Sequence, residues 1–520
     1  MNKSHSRTRY AAMNMATNVV GYFFNTLLGF VCRIVFVHYL TVDYLGVNGL
    51  FTSIIAMLSL TELGIGSVIT YSLYEPLARG DRKRIAVLMT FYAGIYKVIG
   101  LIVAGMGLAL IPFLNKIISE PPDIKEDLAL IYLFFLFNSV FSYFFSHKIS
   151  LLRAAQKDYI VVGASYLITT LQSLFQIAVL IVTKNYLYYL YIQTFGTICY
   201  FFWLSLVVKK HYGFIPVDPV DTLDKAEKKK LFKDVWALSV AKLSGVLVNS
   251  TDSLIISNLI NVAAVGLLSN YLLLANTLNS LISKLLISLK AGIGNFNAVE
   301  KKENTQRLFF HIHFLLFAFY GCGTVGILIV ANDLIKLLFG EEYLIPANVV
   351  AVLALNFYMV GMQNVVGTFK ESLGLFKYGR YVLLLTAFIN LFLSFLLGKK
   401  LGLFGILLAT AIARFLTNWW YFPIIVFKRG FNGNPIKYYL TYALQGVFLL
   451  CAAGLSALAC GHVSLSPLLN VFTKSVICVS IFYISLFLVF HRRAEFVYFG
   501  HKARHGFLKM TQSTNAENEK

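Results

Sequence analysis

The sequence is a succession of apolar runs that are each long enough to cross a lipid bilayer, for which about 20 residues suffice. Hydrophobic residues make up 58% of the chain and charged residues only 13%. The mean hydropathy of +0.71 is far above that of a soluble globular protein. The runs are continuous and lack the two-residue alternation of a membrane β-barrel. They predict an all-α polytopic membrane protein with about 14 transmembrane helices.

The runs divide into two sets of six and a final pair. Residues 1–208 form a predicted N-lobe, 209–234 a charged linker, 235–430 a predicted C-lobe, 431–491 two further helices and 492–520 a cytoplasmic tail. The predicted spans are 14–38, 45–73, 85–113, 128–151, 159–183, 186–208, 235–260, 263–290, 308–331, 346–369, 380–397, 402–427, 438–460 and 467–490. The two sets predict pseudo-symmetric six-helix lobes.

The basic residues predict the orientation of the helices. With the N-terminus inside, 33 of the 45 Lys and Arg residues fall in inner segments and only six in outer loops. This asymmetry follows the positive-inside rule and places both termini in the cytoplasm. The net charge of +21 is therefore interpreted as charge that sets membrane topology, and no nucleic-acid partner is expected.

A weak internal repeat supports the division into two halves. Residues 39–49 read YLTVDYLGVNG and residues 259–269 read LINVAAVGLLS. Each segment places a short polar break and then a glycine, Gly46 or Gly266, between two apolar runs. Because six spans is an even number, both halves are expected to enter the membrane in the same direction.

The stretch 235–266 carries polar residues on one side of an apolar helix. Steps of three and four separate Ser239, Lys242, Gly245, Asn249 and Asp252, which places them in one narrow stripe. Comparable stripes contain Asn25 and Arg33 in the first span and Asn276 and Lys284 in the eighth. Such stripes face either a hydrated cavity or neighbouring helices that they hydrogen-bond. For the cationic residues we favour the cavity, and for Asn and Ser both interpretations stay open.

The charges within the predicted spans are mostly cationic. Besides Arg33, Lys242 and Lys284 they include Lys97 and Arg414, against the anionic Glu62 and Asp252. The two carboxylates are interpreted either as ion- or proton-coupling sites or as partners that neutralise nearby cations. A cationic cavity favours an anionic substrate, since Arg and Lys bind phosphate well.

No sequence pattern predicts a metal, a cofactor or catalysis. The six cysteines lie in apolar runs without ligand spacing and are interpreted as packing residues. No Walker A sequence is present, so transport is expected to use a Na⁺ or H⁺ gradient or the membrane potential. The outer loops are short for the active site of a polymerase or ligase, and we expect no enzymatic activity.

Two segments resemble a known family. VCRIVFVHYLTVDYLGVNGLFTSIIAMLSLTELGIGSVITYSLYEPLARGD and TDSLIISNLINVAAVGLLSNY are similar to regions of Wzx-type polysaccharide flippases, which belong to the superfamily of the lipid II flippase and the MATE exporters. This resemblance implies two six-helix lobes around a cavity with alternating access. It also implies that Arg33, Lys242 and Lys284 contact the pyrophosphate of the substrate.

The resemblance implies export of polyprenyl-pyrophosphate-linked oligosaccharide repeat units, from the inner to the outer leaflet of a bacterial plasma membrane, for surface polysaccharide synthesis. The expected partners are that substrate and membrane lipids, for a monomer that associates with a polymerase or glycosyltransferases. A lipid II-type peptidoglycan-precursor flippase and a MATE-like ion-coupled multidrug exporter are the alternatives. The last two helices occur in the lipid II flippase and leave that alternative open.

Overall fold

The structure is a computed structural model of the 520-residue chain. It describes residues 3–59, 65–214, 223–229, 231, 235, 250–375 and 378–498, and the side chains of 3–12, 14–16, 18–19, 288, 291 and 380 are left out of the description.

Every regular element in the described part of the chain is a helix. The helices are α1 (Lys3–Tyr39), α2 (Val42–Leu58), α3 (Ile65–Arg79), α4 (Arg82–Leu110), α5 (Leu128–Ala154), α6 (Asp158–Thr183), α7 (Tyr186–Tyr212), α8 (Val262–Val299), α9 (Lys302–Phe339), α10 (Ala347–Ser372), α11 (Arg380–Leu416), α12 (Asn418–Ile425), α13 (Ile436–Cys460) and α14 (Pro467–Phe490). Short helical turns cover 111–117 and 341–343, a π-helical turn covers Val426–Phe431, and residues 250–259 are helical.

Eleven of the helices in these ranges are long and apolar enough to cross a membrane. The chain is therefore a multi-pass all-α membrane protein, as the apolar runs predict. The predicted seventh span, 235–260, lies mostly outside the described residues. α2 is apolar but shorter than the eleven.

Polar side chains close the N-termini of several helices, where backbone N–H groups lack partners. Asp81 accepts a hydrogen bond from the backbone N of Arg84 at the start of α4. Asp127 caps α5 in the same way, and Asn185 caps α7. Asp127 and Asn185 come directly before apolar runs, and Asp81 comes before three basic residues and then an apolar run, which explains why the helices begin there.

The predicted second span, 45–73, is described in two parts. α2 ends at Leu58, with Ser59 as its C-cap, and α3 begins at Ile65. The Ser59 hydroxyl donates to the carbonyl oxygen of Ile55 (2.8 Å). Residues 60–64 lie outside the described residues, so the continuity of this span stays a prediction.

α11 consists of two helical arms that form a hairpin, and Gly402 is the non-helical residue between them. Gly402 has φ 59° and ψ −139°, outside the helical region. A Cβ on Gly405 would lie 2.2 Å from the carbonyl oxygen of Leu397, whereas eight residues span about 12 Å of straight helix. The chain therefore folds back at Gly402. This confirms the two separate predicted spans, 380–397 and 402–427.

Polar side chains join the two arms of this hairpin. The Asn390 amide donates to the Thr410 hydroxyl (2.9 Å), and the Thr386 and Thr417 hydroxyls are 2.7 Å apart. All four side chains are at most 8% exposed. The pairs fit one antiparallel register centred close to Gly402, so these hydrogen bonds fix how the two arms align.

The chain divides into two compact units, Met1–Ser269 (unit 1) and Asn270–Lys520 (unit 2). In unit 1, α1 packs against α6, and α5 packs against α3, α4 and α7. In unit 2, α9 is the central helix and packs against α10, α13 and α14. The lobes and linker predicted from the sequence stay a prediction.

Aromatic side chains fill much of the interior of unit 2. Phe309 is fully buried, and its ring contacts Phe369, Phe427 and Tyr438 with centroids 5.0–5.9 Å apart. Most of these pairs are edge-to-face, the arrangement that aromatic quadrupoles favour. This cluster joins α9 and α10 to the segment that follows α12.

Candidate functional site

The structure describes part of the predicted cationic site. Arg33, Asn25, Asp252, Asn276 and Lys284 lie within the described residues. Three predicted residues, Lys242, Asn249 and Glu62, lie outside them. The roles assigned to these residues from the sequence remain predictions.

Arg33 lies near the end of α1 and contacts the first turns of α8. Its Nη2 donates to the hydroxyl oxygen of Ser269, which itself donates to the carbonyl oxygen of Gly266 (2.7 Å). The Arg33 side chain is half-buried. One turn and two turns earlier, Gly29 and Asn25 lie on the same face, and the Asn25 amide donates to the Gly21 carbonyl (3.1 Å).

The two glycines of the predicted repeat lie against each other within unit 1. A Cβ on Gly46 would lie 2.0 Å from the carbonyl oxygen of Val262. A Cβ on Gly266 would lie 2.5 Å from the carbonyl oxygen of Val42 and 2.9 Å from the backbone N of Gly46. The first turns of α2 and α8 therefore touch backbone to backbone, in a reciprocal arrangement that only glycine permits. This contact lies next to the Arg33–Ser269 hydrogen bond.

The polar residues of α8 divide between two environments in unit 2. Asn279 and Ser283 face α9, where the Tyr320 hydroxyl donates to the Asn279 Oδ1 (2.9 Å) and lies 3.4 Å from the Ser283 Oγ. Asn276 is exposed and Lys284 is half-buried. Part of the stripe thus joins helices, and the role of Asn276 and Lys284 in substrate binding stays a prediction.

The other intramembrane charges lie in separate places. Lys97 is exposed on α4, and Asp252 is half-buried in the helical residues 250–259. Arg414 belongs to unit 2, where its Nη1 donates to the Gln363 Oε1 (3.5 Å), and Asn418 lies beside the same amide. The structure therefore places Arg414 in a polar cluster of unit 2 with Gln363 and Asn418.

Sequence reasoning missed an ion pair between α9 and α14. Lys474 Nζ lies 2.6 Å from the Asp333 Oδ2, and the two side chains are only 16% and 28% exposed. The sequence places Asp333 in an outer loop, but α9 continues to Phe339. The two residues are 141 positions apart. No local pattern links residues at such a distance.

Breaking this pair should destabilise the protein measurably. Replacing Lys474 with Met leaves the Asp333 carboxylate partly buried without its cation, and we expect a loss of about 2 kcal/mol in the free energy of unfolding. The measurement is thermal unfolding in detergent. Lys336→Met is the matched control, since its ion pair with Glu341 is far more exposed and its loss should change the Tm much less. An equal Tm for the two variants would contradict this prediction.

The described residues hold no group of three or more His, Cys, Asp and Glu side chains that could bind a metal. All six cysteines are free, and the Sγ atoms of the buried Cys460 and Cys478 are 4.0 Å apart. The described polar groups within the helices are therefore suited to hydrogen bonding and charge recognition.

Several solved transporter structures are similar to this chain. The lipid II flippase MurJ, in an inward closed conformation, matches with a TM-score of 0.66 and 14% identity over 91% of this chain and 98% of its own. The fold is that of MurJ and the MATE transporters. An inward-facing multidrug-resistance MATE transporter of the MOP superfamily matches with a TM-score of 0.60 and 12% identity over 75% of this chain and 92% of its own.

A Vibrio cholerae MATE transporter, VcmN, matches with a TM-score of 0.53 and 14% identity over 81% of this chain and 98% of its own. No family model and no curated protein sequence matches the chain. The comparisons therefore give the MurJ and MATE fold.

Proposed function

We propose that this protein is a flippase that moves polyprenyl-pyrophosphate-linked oligosaccharide units from the inner to the outer leaflet of a bacterial plasma membrane. The likeness to MurJ is the observation that carries the proposal. It extends over 91% of this chain, whereas the likeness to the MATE exporter covers 75%. A chain that shares its fold over such a length with a lipid II flippase is a candidate for the same class of substrate.

The charge of the spanning helices supports an anionic substrate. Within the described part of the predicted spans that carry the stripes and the other sequence-predicted charges, Arg33, Lys97, Lys284 and Arg414 are cationic and Asp252 is anionic. A site built for organic cations would need the opposite balance. Guanidinium and ammonium groups bind pyrophosphate oxygens with charge-assisted hydrogen bonds, and we assign this role to Arg33, Lys284 and Lys242.

The proposed energy source is an ion gradient or the membrane potential. A substrate with net negative charge gains roughly 2.3 kcal/mol per charge per 100 mV when it leaves a negative interior. Asp252 and Glu62 are the proposed coupling residues for Na⁺ or H⁺.

Reconstitution of the full chain in vesicles tests the proposed function. A fluorescent undecaprenyl-pyrophosphate-linked trisaccharide is incorporated, and the fraction that an impermeant quencher reaches is followed with time. We expect faster exchange between leaflets than in protein-free vesicles. The absence of any acceleration, with ethidium taken up by the same vesicles, would overturn the proposal in favour of a cation exporter.

Lipid II is the second candidate substrate, because MurJ is a lipid II flippase and matches nearly the whole chain. The same vesicles carrying labelled lipid II separate the two candidates. Faster movement of lipid II than of the lipid-linked trisaccharide would replace the surface-polysaccharide assignment with a peptidoglycan assignment.

A further inference from the structure

Unit 1 contains a polar cavity of about 480 Å³ that no sequence motif predicts. α3, α4 and α5 form its walls. Its lining includes Ser67, Thr70, Tyr96, Ser146, Ser150 and Arg153. Its size falls within the range of small-ligand pockets, about 300–1,000 Å³. It lies beside the end of α5 that adjoins the basic segment 148–158, an end that the charge distribution predicts to be cytoplasmic.

The hydroxyl groups of the wall are arranged as acceptors. The Thr70 hydroxyl donates to the Gly66 carbonyl (2.8 Å), and the Ser146 hydroxyl donates to the Ser142 carbonyl (3.0 Å). The Ser150 hydroxyl donates back along α5 in the same way (3.4 Å). Because each proton is already used, these oxygens offer lone pairs to a ligand. Such a wall suits a ligand that carries its own O–H donors, such as a sugar or a glycerol.

Arg153 supplies the cationic group of the cavity. It lies in the last turn of α5, and its side chain is 55% exposed. Its Nε donates to the Asp158 Oδ1 (3.0 Å), which fixes the guanidinium in place. This bond uses Nε, so the two terminal nitrogens are the donors that can face a ligand. Their spacing matches two phosphate oxygens. The lining contains no carboxylate, so nothing in the wall pairs with an ammonium group of a ligand.

Two tyrosines complete the rim of the cavity. Tyr71 and Tyr74 both line it and are 78% and 50% exposed, and their ring centroids are 6.3 Å apart. Tyrosines with one apolar and one polar end are typical of the level of lipid head groups. They also offer flat faces on which a sugar ring can pack.

We infer that this cavity binds a phosphorylated polyol head group of a membrane lipid, with the phosphate at Arg153 and the hydroxyls against Thr70, Ser146 and Ser150. Two lipids share this chemistry. One is the lipid-linked sugar of the proposed function. For this ligand the cavity would be a loading site on the cytoplasmic side, and this version of the inference rests on the proposed function. The other is a resident phosphatidylglycerol.

Native mass spectrometry of the full chain in detergent tests the inference. The probes are phosphatidylglycerol, phosphatidylethanolamine and undecaprenyl-pyrophosphate-linked N-acetylglucosamine, each titrated separately. We expect phosphatidylglycerol, the glycolipid or both to bind more tightly than phosphatidylethanolamine. Arg153→Gln should weaken that binding by about tenfold or more, because it removes a charge-assisted bond. Thr70→Phe, which fills the cavity, should weaken it to a similar degree.

Arg79→Gln is the matched control. Arg79 lies at the same end of unit 1, is ion-paired with Glu75 and does not line the cavity, so binding should stay within about twofold of the unmodified protein. Wild-type affinity in both Arg153→Gln and Thr70→Phe would overturn the inference, as would equal binding of phosphatidylethanolamine. Melting temperatures of the variants show whether they are folded.

The source of the ligand follows from which probe binds. Selective binding of the glycolipid supports a loading site, and selective binding of phosphatidylglycerol supports a resident lipid. If phosphatidylglycerol binds at this cavity while the vesicle assay shows no glycolipid movement, the proposed function fails and the cavity site stands.

Discussion

Replacing Gly46 with alanine is expected to destabilise the protein by about 1–3 kcal/mol and to prevent transport. The new methyl group would lie 2.0 Å from the Val262 carbonyl oxygen. Main-chain atoms form both sides of this contact, so no side chain can rotate away, and α2 and α8 would have to separate. The Arg33–Ser269 hydrogen bond, which joins α1 to α8 beside this contact, should weaken at the same time.

Gly266→Ala tests the same contact from the other helix, with a slightly smaller clash of 2.5 Å to the Val42 carbonyl oxygen. Two further glycines provide a graded control. Gly49→Ala meets only the Val265 Cγ1, at 3.2 Å, and should have a small effect. Gly94 has no heavy atom within 4 Å, and Ala there should be neutral or slightly stabilising, since Ala is the better helix former.

Thermal unfolding in detergent ranks the four variants. The expected order of Tm is Gly46→Ala lowest, then Gly266→Ala, Gly49→Ala and Gly94→Ala. An unchanged Tm for Gly46→Ala would show that the helices are not in backbone contact. Because the two glycines share one contact, the double variant should lose less stability than the sum of the losses in Gly46→Ala and Gly266→Ala.

Charge reversal at Lys242 and Lys284 together is expected to slow glycolipid movement by at least about a hundredfold. A hydrogen bond to a charged group contributes about 1.5–3 kcal/mol, and each 1.4 kcal/mol is a factor of ten. Glutamate at these positions removes two such bonds and repels the pyrophosphate. Lys284 is half-buried on the same stretch of α8 as the exposed Asn276, and Lys242 lies outside the described residues.

The vesicle assay measures this effect for the Lys242→Glu/Lys284→Glu protein, with Lys399→Glu as the control. Lys399 is exposed beside the Gly402 turn and undergoes the same change of charge. We expect wild-type rates from the control, and an unaltered Tm in both proteins. Normal movement of the labelled lipid by the double variant would contradict the proposal that Lys242 and Lys284 bind the pyrophosphate.

Hydropathy and turn chemistry predict most of the helices of this chain. The Lys399–Lys400–Leu401–Gly402 sequence interrupts an apolar run, and the structure folds back at Gly402. The repeat around Gly46 and Gly266 is also visible in the sequence, since short polar breaks and glycines recur at matching places. That the two glycines touch could not be predicted, because the spacing of two residues along a chain does not determine their distance.

The charged partners were the least predictable part of the site. The ion pair between Lys474 and Asp333 depends on how α14 packs against α9, which the local sequence around either residue does not determine. The cavity of unit 1 depends equally on tertiary packing, since its serines and Tyr96 come from different helices. By contrast, Asn390 and Thr410 stand out as polar residues in apolar runs, a signal that polar spacing within the predicted spans could have revealed.

The turn at Gly402 limits how this part of unit 2 can move. One residue reverses the chain, and the bonds between Thr386 and Thr417 and between Asn390 and Thr410 hold the arms together. The arms are therefore expected to travel as a single rigid piece during a transport cycle. Any bending must then occur where the piece joins the rest of the chain, at Gly379 with its φ of 82° and at the π-helical turn Val426–Phe431.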